Sequence, residues 1–208
     1  QHLGGRVVVT TSLGKGADGR FLASSLVRGI SDDAGQLVKL TQAAGQQPND
    51  FGNKLAEQVA TVFKAYSDAK VCNDQQTTNQ KKAIDAANKA IKTVPNFGYA
   101  EYCIAQIAQQ SDSASDVALE HYKNAVIGDP LSLKAVNQLA MIHQRRHDST
   151  AVVADFQQMI TIAPTNRALA DAAVKVFRQY NRPDAAEQVV NQQMELDPTS
   201  PEWPDLKG

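Results

Sequence analysis

The chain holds few residues whose types and spacing could perform metal chemistry. The candidates are two cysteines and four histidines: Cys72, Cys103, His2, His121, His143 and His147. A structural zinc site takes four Cys or His ligands at short, characteristic spacings. The two cysteines stand far apart in the sequence, and none of the scattered histidines has ligand spacing to them. We therefore predict neither a metal site nor a bound cofactor.

A glycine-rich segment near the N-terminus raises the alternative of a nucleotide site. In "VVVTTSLGKGADGR", Gly14, Gly16 and Gly19 follow a β-branched run with the spacing G-x-G-x-x-G. In dinucleotide sites such glycines form a tight turn between a strand and a helix, here residues 21–30, and let the backbone approach a pyrophosphate. Helical periodicity begins near residue 50, however, and one strand–helix unit cannot build the sheet that such a site needs. The nucleotide site is the disfavoured interpretation.

No arrangement of side chains predicts catalysis. Asp116 and Glu120 are helical neighbours near a helix start, where carboxylates interact favourably with the helix dipole. Asp184 and Glu187 stand in the same relation near a later helix start. No nucleophile stands at a defined spacing from His143 or His147. We therefore expect no enzymatic activity.

Charge and hydropathy exclude two further classes of protein. Lys and Arg number 21 and Asp and Glu 22, so the net charge of −1 lacks the basic excess of a nucleic-acid-binding protein. No apolar run approaches the ~18 residues that a membrane-spanning helix needs. The 42% hydrophobic content is typical of a folded domain.

Four prolines define an internal repeat. Pro95, Pro130, Pro164 and Pro198 follow one another at a nearly constant interval of about 34 residues. Small or apolar residues recur 12, 8, 5 and 4 positions before each proline, with Gln193 as the one polar exception, which places them on one face of a helix that the proline ends. These sets are Ala83, Ala87, Ala90 and Ile91; Ala118, Tyr122, Ala125 and Val126; Val152, Phe156, Met159 and Ile160; and Ala186, Val190, Gln193 and Met194.

A second helix precedes each of these, as in residues 135–146 and 168–180, and a short polar turn joins the two. Two helices per repeat with a closing proline resemble the tetratricopeptide repeat. The resemblance covers residues 54–198. The first repeat departs from the pattern, because its periodic segment begins early, at Lys54. The resemblance implies an all-α fold, a right-handed α-solenoid of about four helix pairs in residues 51–198. An extended glycine-rich N-terminal arm with a short strand and one or two short helices (residues 1–50) precedes it, and a C-terminal extension (199–208) follows.

The resemblance also implies which residues face the concave groove, since first helices line it in this family. The candidates are Lys134, Asn137, Met141 and Arg145, then Asp171, Lys175 and Arg178. This largely basic stretch is either a surface that binds an acidic peptide or an ordinary solvated helix face. Cys72 and Cys103 fall on neighbouring first helices, where they form either a disulfide or two buried thiols. An even cysteine count favours the disulfide and an extracytoplasmic location.

The two ends of the chain suggest self-association. Residues Val7, Val8, Val9, Thr10 and Thr11 favour a strand, whose backbone must pair within the arm or with another molecule. Trp203, between Pro201 and Pro204, follows a last repeat that has no capping helix. Two different docking surfaces would join copies head to tail into an oligomer or filament. The alternative function is an adaptor whose groove binds a peptide of another protein.

Overall fold

The structure, a computed structural model, describes residues 7–19, 21–29, 36–43 and 49–198. The chain divides into a first unit, Gln1–Ser132, and a second unit, Leu133–Gly208. Three strands and four helices lie in the first unit: β1 (Val7–Lys15), β2 (Phe21–Gly29), β3 (Gln36–Ala43), α1 (Asn49–Gln75), α2 (Gln80–Thr93), α3 (Gly98–Ser111) and α4 (Asp116–Gly128). Four helices lie in the second: α5 (Leu133–Arg145), α6 (Ser149–Ile162), α7 (Arg167–Gln179) and α8 (Pro183–Leu196).

The described N-terminal residues form an antiparallel sheet in the order β1-β2-β3. The predicted one or two short helices are not found in the described residues of this region, where strands occupy 21–29 and 36–43 and the next element is α1. The predicted strand at Val7–Thr11 is present and pairs within the chain, with Val7 opposite Gly29 and Lys15 opposite Phe21. A lone strand would leave its N–H and C=O groups unpaired, and the neighbouring strand satisfies one side of it.

The glycine motif lies in the connection between β1 and β2. Gly14 belongs to β1, the Gly19 N–H donates to the Gly16 carbonyl at 3.0 Å, and Gly19 has a φ of +78°. That left-handed conformation favours glycine, which has no Cβ to clash. The motif therefore joins two antiparallel strands, whereas a dinucleotide loop must lead from a strand into a helix. The nucleotide alternative is contradicted.

The helix pairs follow the predicted repeat. All side chains 12, 8 and 5 positions before the four prolines are buried, including the polar Gln193, whose Nε2 donates to the Pro164 carbonyl at 2.7 Å. The early-starting first helix is confirmed as unusually long, since α1 has 27 residues against 13 or 14 in each of the others. In the first unit, α1, α2 and α3 share one apolar core.

Local sequence accounts for where the second helices begin. Ser115 accepts from the Ala118 N–H at the start of α4, and Asp148 caps α6 through the Ala151 N–H. Pro183 occupies the first turn of α8, where its missing N–H is not needed. The Arg182 guanidinium and the Ala185 N–H hold the pKa of Asp184 below its usual value.

The turns that precede α6 and α8 contain matching left-handed residues, which lead to a first prediction. His147 and Asn181 have φ values of 58° and 55°, and the next residue's N–H bonds back to the carbonyl of His143 and of Phe177, respectively. Histidine is strained in this conformation, whereas asparagine tolerates it. We expect His147→Gly to stabilise the second unit by about 0.5–1 kcal/mol. Urea unfolding measures this; Asn181→Gly is the matched control, and an equal or larger gain there would contradict the argument.

Candidate interaction surfaces

A disulfide joins α1 to α3 in the core of the first unit. The Sγ atoms of Cys72 and Cys103 lie 1.99 Å apart and their Cα atoms 6.3 Å apart. The two residues are 0% and 2% exposed, so the bond belongs to the hydrophobic core and not to an open groove surface. The favoured pairing is present, and its role in the fold is structural.

Two aromatic contacts also join helices of the first unit. Tyr66 of α1 stacks on Tyr99 of α3 with ring centroids 5.6 Å apart, and Tyr102 of α3 meets Tyr122 of α4 edge-on at 5.3 Å. The Tyr122 hydroxyl donates to Gln109 Oε1 at 2.9 Å. Stacked and edge-on rings stabilise beyond their buried area. One contact joins α1 to α3 and the other joins α3 to α4, and the repeat period alone did not reveal them.

Two histidine–carboxylate pairs were missed from the sequence. His121 Nδ1 of α4 lies 2.5 Å from Glu101 Oε2 of α3, and His143 Nδ1 of α5 lies 2.6 Å from Asp155 Oδ2 of α6. Glu101, His143 and Asp155 are buried. Each pair spans the two helices of one repeat, so we interpret the pairs as links between helices. The sequence did not predict these pairs, because a histidine on one helix and a carboxylate on the next is a common combination.

The predicted basic stretch lies on α5 and α7, which we call the cationic face. Four cations define it, and all are exposed: Lys134, Arg145, Lys175 and Arg178. On the same helices, Asn137 is exposed and its amide lies 4.0 Å from the half-buried Met141 sulfur, while Asp171 is half-buried. All these residues belong to the second unit. Their accessibility fits a peptide-binding surface, and their place on a concave groove stays a prediction.

The N-terminal sheet offers a second surface, the outer edge of β1. Because the sheet order is β1-β2-β3, each residue of β1 is paired with β2 on one side, and β1 forms an edge of the described sheet. Consecutive side chains of a strand point to opposite faces, and Thr10, Thr11 and Ser12 are all exposed. Both faces of the sheet are therefore open to solvent along this part of β1. The other predicted docking residue, Trp203, lies outside the described residues.

A third surface is a groove between α6 and α8. Its volume is about 250 Å³, and its lining residues are Gln157, Ile160, Thr161, Phe177, Ala185, Gln188, Val189 and Gln192. All of them lie in the second unit. The lining carries no charged side chain, so this groove and the cationic face suit different ligands.

The described residues show neither a cluster of metal ligands nor a membrane-spanning helix. Over residues 7–19, 21–29, 36–43 and 49–198, no group of three or more His, Cys, Asp or Glu side chains is placed to hold a metal ion. None of the helices in those ranges is long and apolar enough to cross a membrane.

Comparison with known proteins relates the chain to others by structure alone. No protein-family model matches it, and neither does any curated protein sequence. A tetratricopeptide repeat protein from Parabacteroides merdae superposes with a TM-score of 0.50 at 13% identity, over 69% of this chain and 57% of that one. A crystal structure of MamA protein gives 0.48 at 16%, over 69% and 79% of the two chains. The TPR domain of Arabidopsis OM64 gives 0.45 at 16%, over 55% and 94%.

The Parabacteroides merdae structure, with its TM-score of 0.50, agrees with the repeated helix pairs, their buried faces and their closing prolines. At 13% identity it shows the fold and no more. The described helix pairs therefore have the tetratricopeptide-repeat fold.

Proposed function

We propose that this chain is a non-enzymatic protein–protein interaction and assembly module, an exported structural subunit that self-associates head to tail through its N-terminal sheet into an oligomer or filament. The observation that carries the proposal is the outer edge of β1. The nine residues of β1 pair with β2, and β1 is an edge strand of the described sheet. Such an edge is a template for another strand.

The features of β1 support its choice over β3 as the docking strand. β3, at the opposite edge, lies against α1 in the same unit. The middle of β1 is exposed on both faces, whereas β3 packs against a helix. The buried disulfide supports the exported location, because disulfides persist in oxidising compartments.

Proline substitution along β1 tests this assembly mode. Backbone N–H groups of consecutive residues in an edge strand point alternately to the partner strand and outward, and proline removes one of them. Only one of Thr10 and Thr11 directs its N–H to the outer edge, so we expect one of Thr10→Pro and Thr11→Pro to prevent assembly. That variant should have the monomer mass of 22.5 kDa and keep its β-sheet circular dichroism. Multi-angle light scattering with electron microscopy measures the size.

Thr10→Val and Thr11→Val are the matched controls, because valine keeps both the N–H and the β preference. They should assemble like the unmodified protein. Deleting β1 is a poorer test, since it turns β2 into a new edge. Assembly that survives both proline substitutions, or an unmodified protein that is monomeric at every concentration, would refute the assembly mode.

The cationic face supports a second candidate, an adaptor that binds an acidic peptide. Its four exposed cations are suited to carboxylate partners, which pair strongly with Arg in particular. A monomer that captures a carboxylate-rich peptide, and loses it when Arg145 and Lys175 are reversed to Glu, would favour this function over self-association.

A further inference from the structure

The described sheet has two edge strands, β1 and β3, on opposite sides of β2. β1 has nine residues and β3 has eight, so the two strands match in length. An edge strand is a template that another strand matches along its whole length. The other elements that the structure describes are helices, whose backbone groups bond within each helix. If copies join through β1, the strand that receives it is therefore an edge strand of the next copy.

The direction of growth distinguishes β3 from a second β1 as the partner of β1. Pairing of β1 with β1 of another copy is a two-fold contact, which closes as a dimer. Pairing of β1 with β3 joins two different surfaces, so a β1 edge stays at one end of the assembly and a β3 edge at the other. Each end can then add a further copy. Head-to-tail assembly therefore requires the pairing of β1 with β3.

The surroundings of the two edge strands give them different roles in such a junction. β3 packs against α1, which holds it to the helices of its own unit. A strand that is already held in place is a preorganised acceptor, because it loses little freedom on binding. The middle of β1, residues Thr10 to Ser12, is exposed on both faces of the sheet. β1 is therefore suited to be the strand that docks, and β3 the strand that receives it.

We propose that the outer edge of β1 pairs with the outer edge of β3 in a second copy, so that one antiparallel sheet continues through successive copies. This inference rests on the proposed self-association and names its acceptor strand. Within one chain, β1 and β3 both run antiparallel to β2 and point the same way. Copies related by a shift alone would therefore pair in parallel, whereas a half-turn about the axis of growth makes the junction antiparallel. Antiparallel pairing is the more stable per residue and continues the existing pattern.

The charged residues of the two edge strands are compatible with this junction. β1 contains Lys15 and β3 contains Lys39, each the one charged residue of its strand. Two antiparallel registers place every residue of β3 opposite β1, and in these Lys39 stands opposite Thr11 or Ser12. Like charges directly opposite each other destabilise a strand pair. Neither register brings the two lysines together.

Proline variants that block one edge each test the pairing of unlike edges. Thr10→Pro or Thr11→Pro, whichever keeps the β-sheet circular dichroism, blocks β1. Lys39→Pro or Leu40→Pro, selected in the same way, blocks β3. We expect each blocked variant to have the monomer mass of 22.5 kDa by light scattering, under conditions in which the unmodified protein assembles. An equimolar mixture of the two should give a particle of twice this mass and nothing larger, since both remaining edges are then used.

Lys39→Val and Leu40→Val are the matched controls for β3, because valine keeps the N–H and the β preference. They should assemble like the unmodified protein. Assembly of the β3-blocked variant by itself would overturn the inference and leave self-association through β1 standing; a dimer there would show that β1 pairs with β1. A mixture of the blocked variants that stays monomeric would also overturn it. An unmodified protein that is monomeric at every concentration would refute the self-association itself.

Cysteine substitutions test the polarity of the junction. The two native cysteines are bonded to each other, so an added thiol meets no native thiol. Under mild oxidation, Val8→Cys in one copy should cross-link to Gln42→Cys or to Ala43→Cys in another, according to the register. Leu37→Cys, at the other end of β3, is the matched control and should not cross-link to it. Cross-linking of Val8→Cys to Leu37→Cys instead would show a parallel junction and overturn the antiparallel assignment.

Discussion

Loss of the disulfide between Cys72 and Cys103 will lower the free energy of unfolding of the first unit by about 3–4 kcal/mol. The bond closes a loop with a sequence separation of 31 residues that contains all of α2 and ties α1 to α3. In the unfolded chain the cross-link removes the conformational freedom of that loop, and a longer loop gives a larger effect. Both sulfurs are buried, so the folded unit has no open space into which the separated thiols could move.

Urea unfolding of the Cys72→Ala and Cys103→Ala double variant measures this loss. Near-ultraviolet circular dichroism of the tyrosines reports mainly on the first unit, because four of the five tyrosines, Tyr66, Tyr99, Tyr102 and Tyr122, contact one another in pairs there. Reductant should shift the unmodified protein to a lower midpoint and leave the double variant unaffected. Equal midpoints for the oxidised protein and the variant would contradict a stabilising role for the bond.

Gly128→Ala will destabilise the first unit by about 3 kcal/mol or more, through a clash of backbone with a new methyl group. A Cβ built on Gly128 lies 1.9 Å from the Asn96 carbonyl oxygen and 2.9 Å from the Gly98 nitrogen. Both are backbone atoms, which cannot rotate away as the end of a side chain can. Asn96 is held in a left-handed conformation with φ 54°, and the adjoining Phe97 is fully buried. The end of α4 and the turn before α3 must therefore separate.

Gly52→Ala, in the same unit, is expected to raise the stability instead of lowering it. Gly52 lies in α1, and a Cβ there meets nothing within 4 Å. Alanine is the better helix former, so this variant should gain about 0.5–1 kcal/mol. Thermal unfolding compares the two variants with the unmodified protein. A Gly128→Ala variant that unfolds at the unmodified midpoint would show that the close approach is not required.

The helical part of this protein is determined largely by local sequence. The apolar spacing before Pro95, Pro130, Pro164 and Pro198 specifies which helix face is buried, because the helical period places those residues together. Caps such as Ser115 and the first-turn proline of α8 set the helix starts through bonds within a few residues. Each of these signals acts within a single turn or a single repeat. Because the repeat has a constant period, the same signal recurs in every repeat and can be recognised from the sequence.

Tertiary structure alone decided the remaining features, because they join residues far apart in the chain. Strands β2 and β3 form because pairing satisfies their backbone groups, and no local sequence pattern predicted which strands would pair. The contact of Gly128 with Asn96 depends on how α4 packs against the turn before α3. The pairing of His143 with Asp155, and the groove between α6 and α8, likewise arise from how helices pack. Sequence periodicity orients a helix face, whereas only packing determines which residues of the neighbouring helix that face meets.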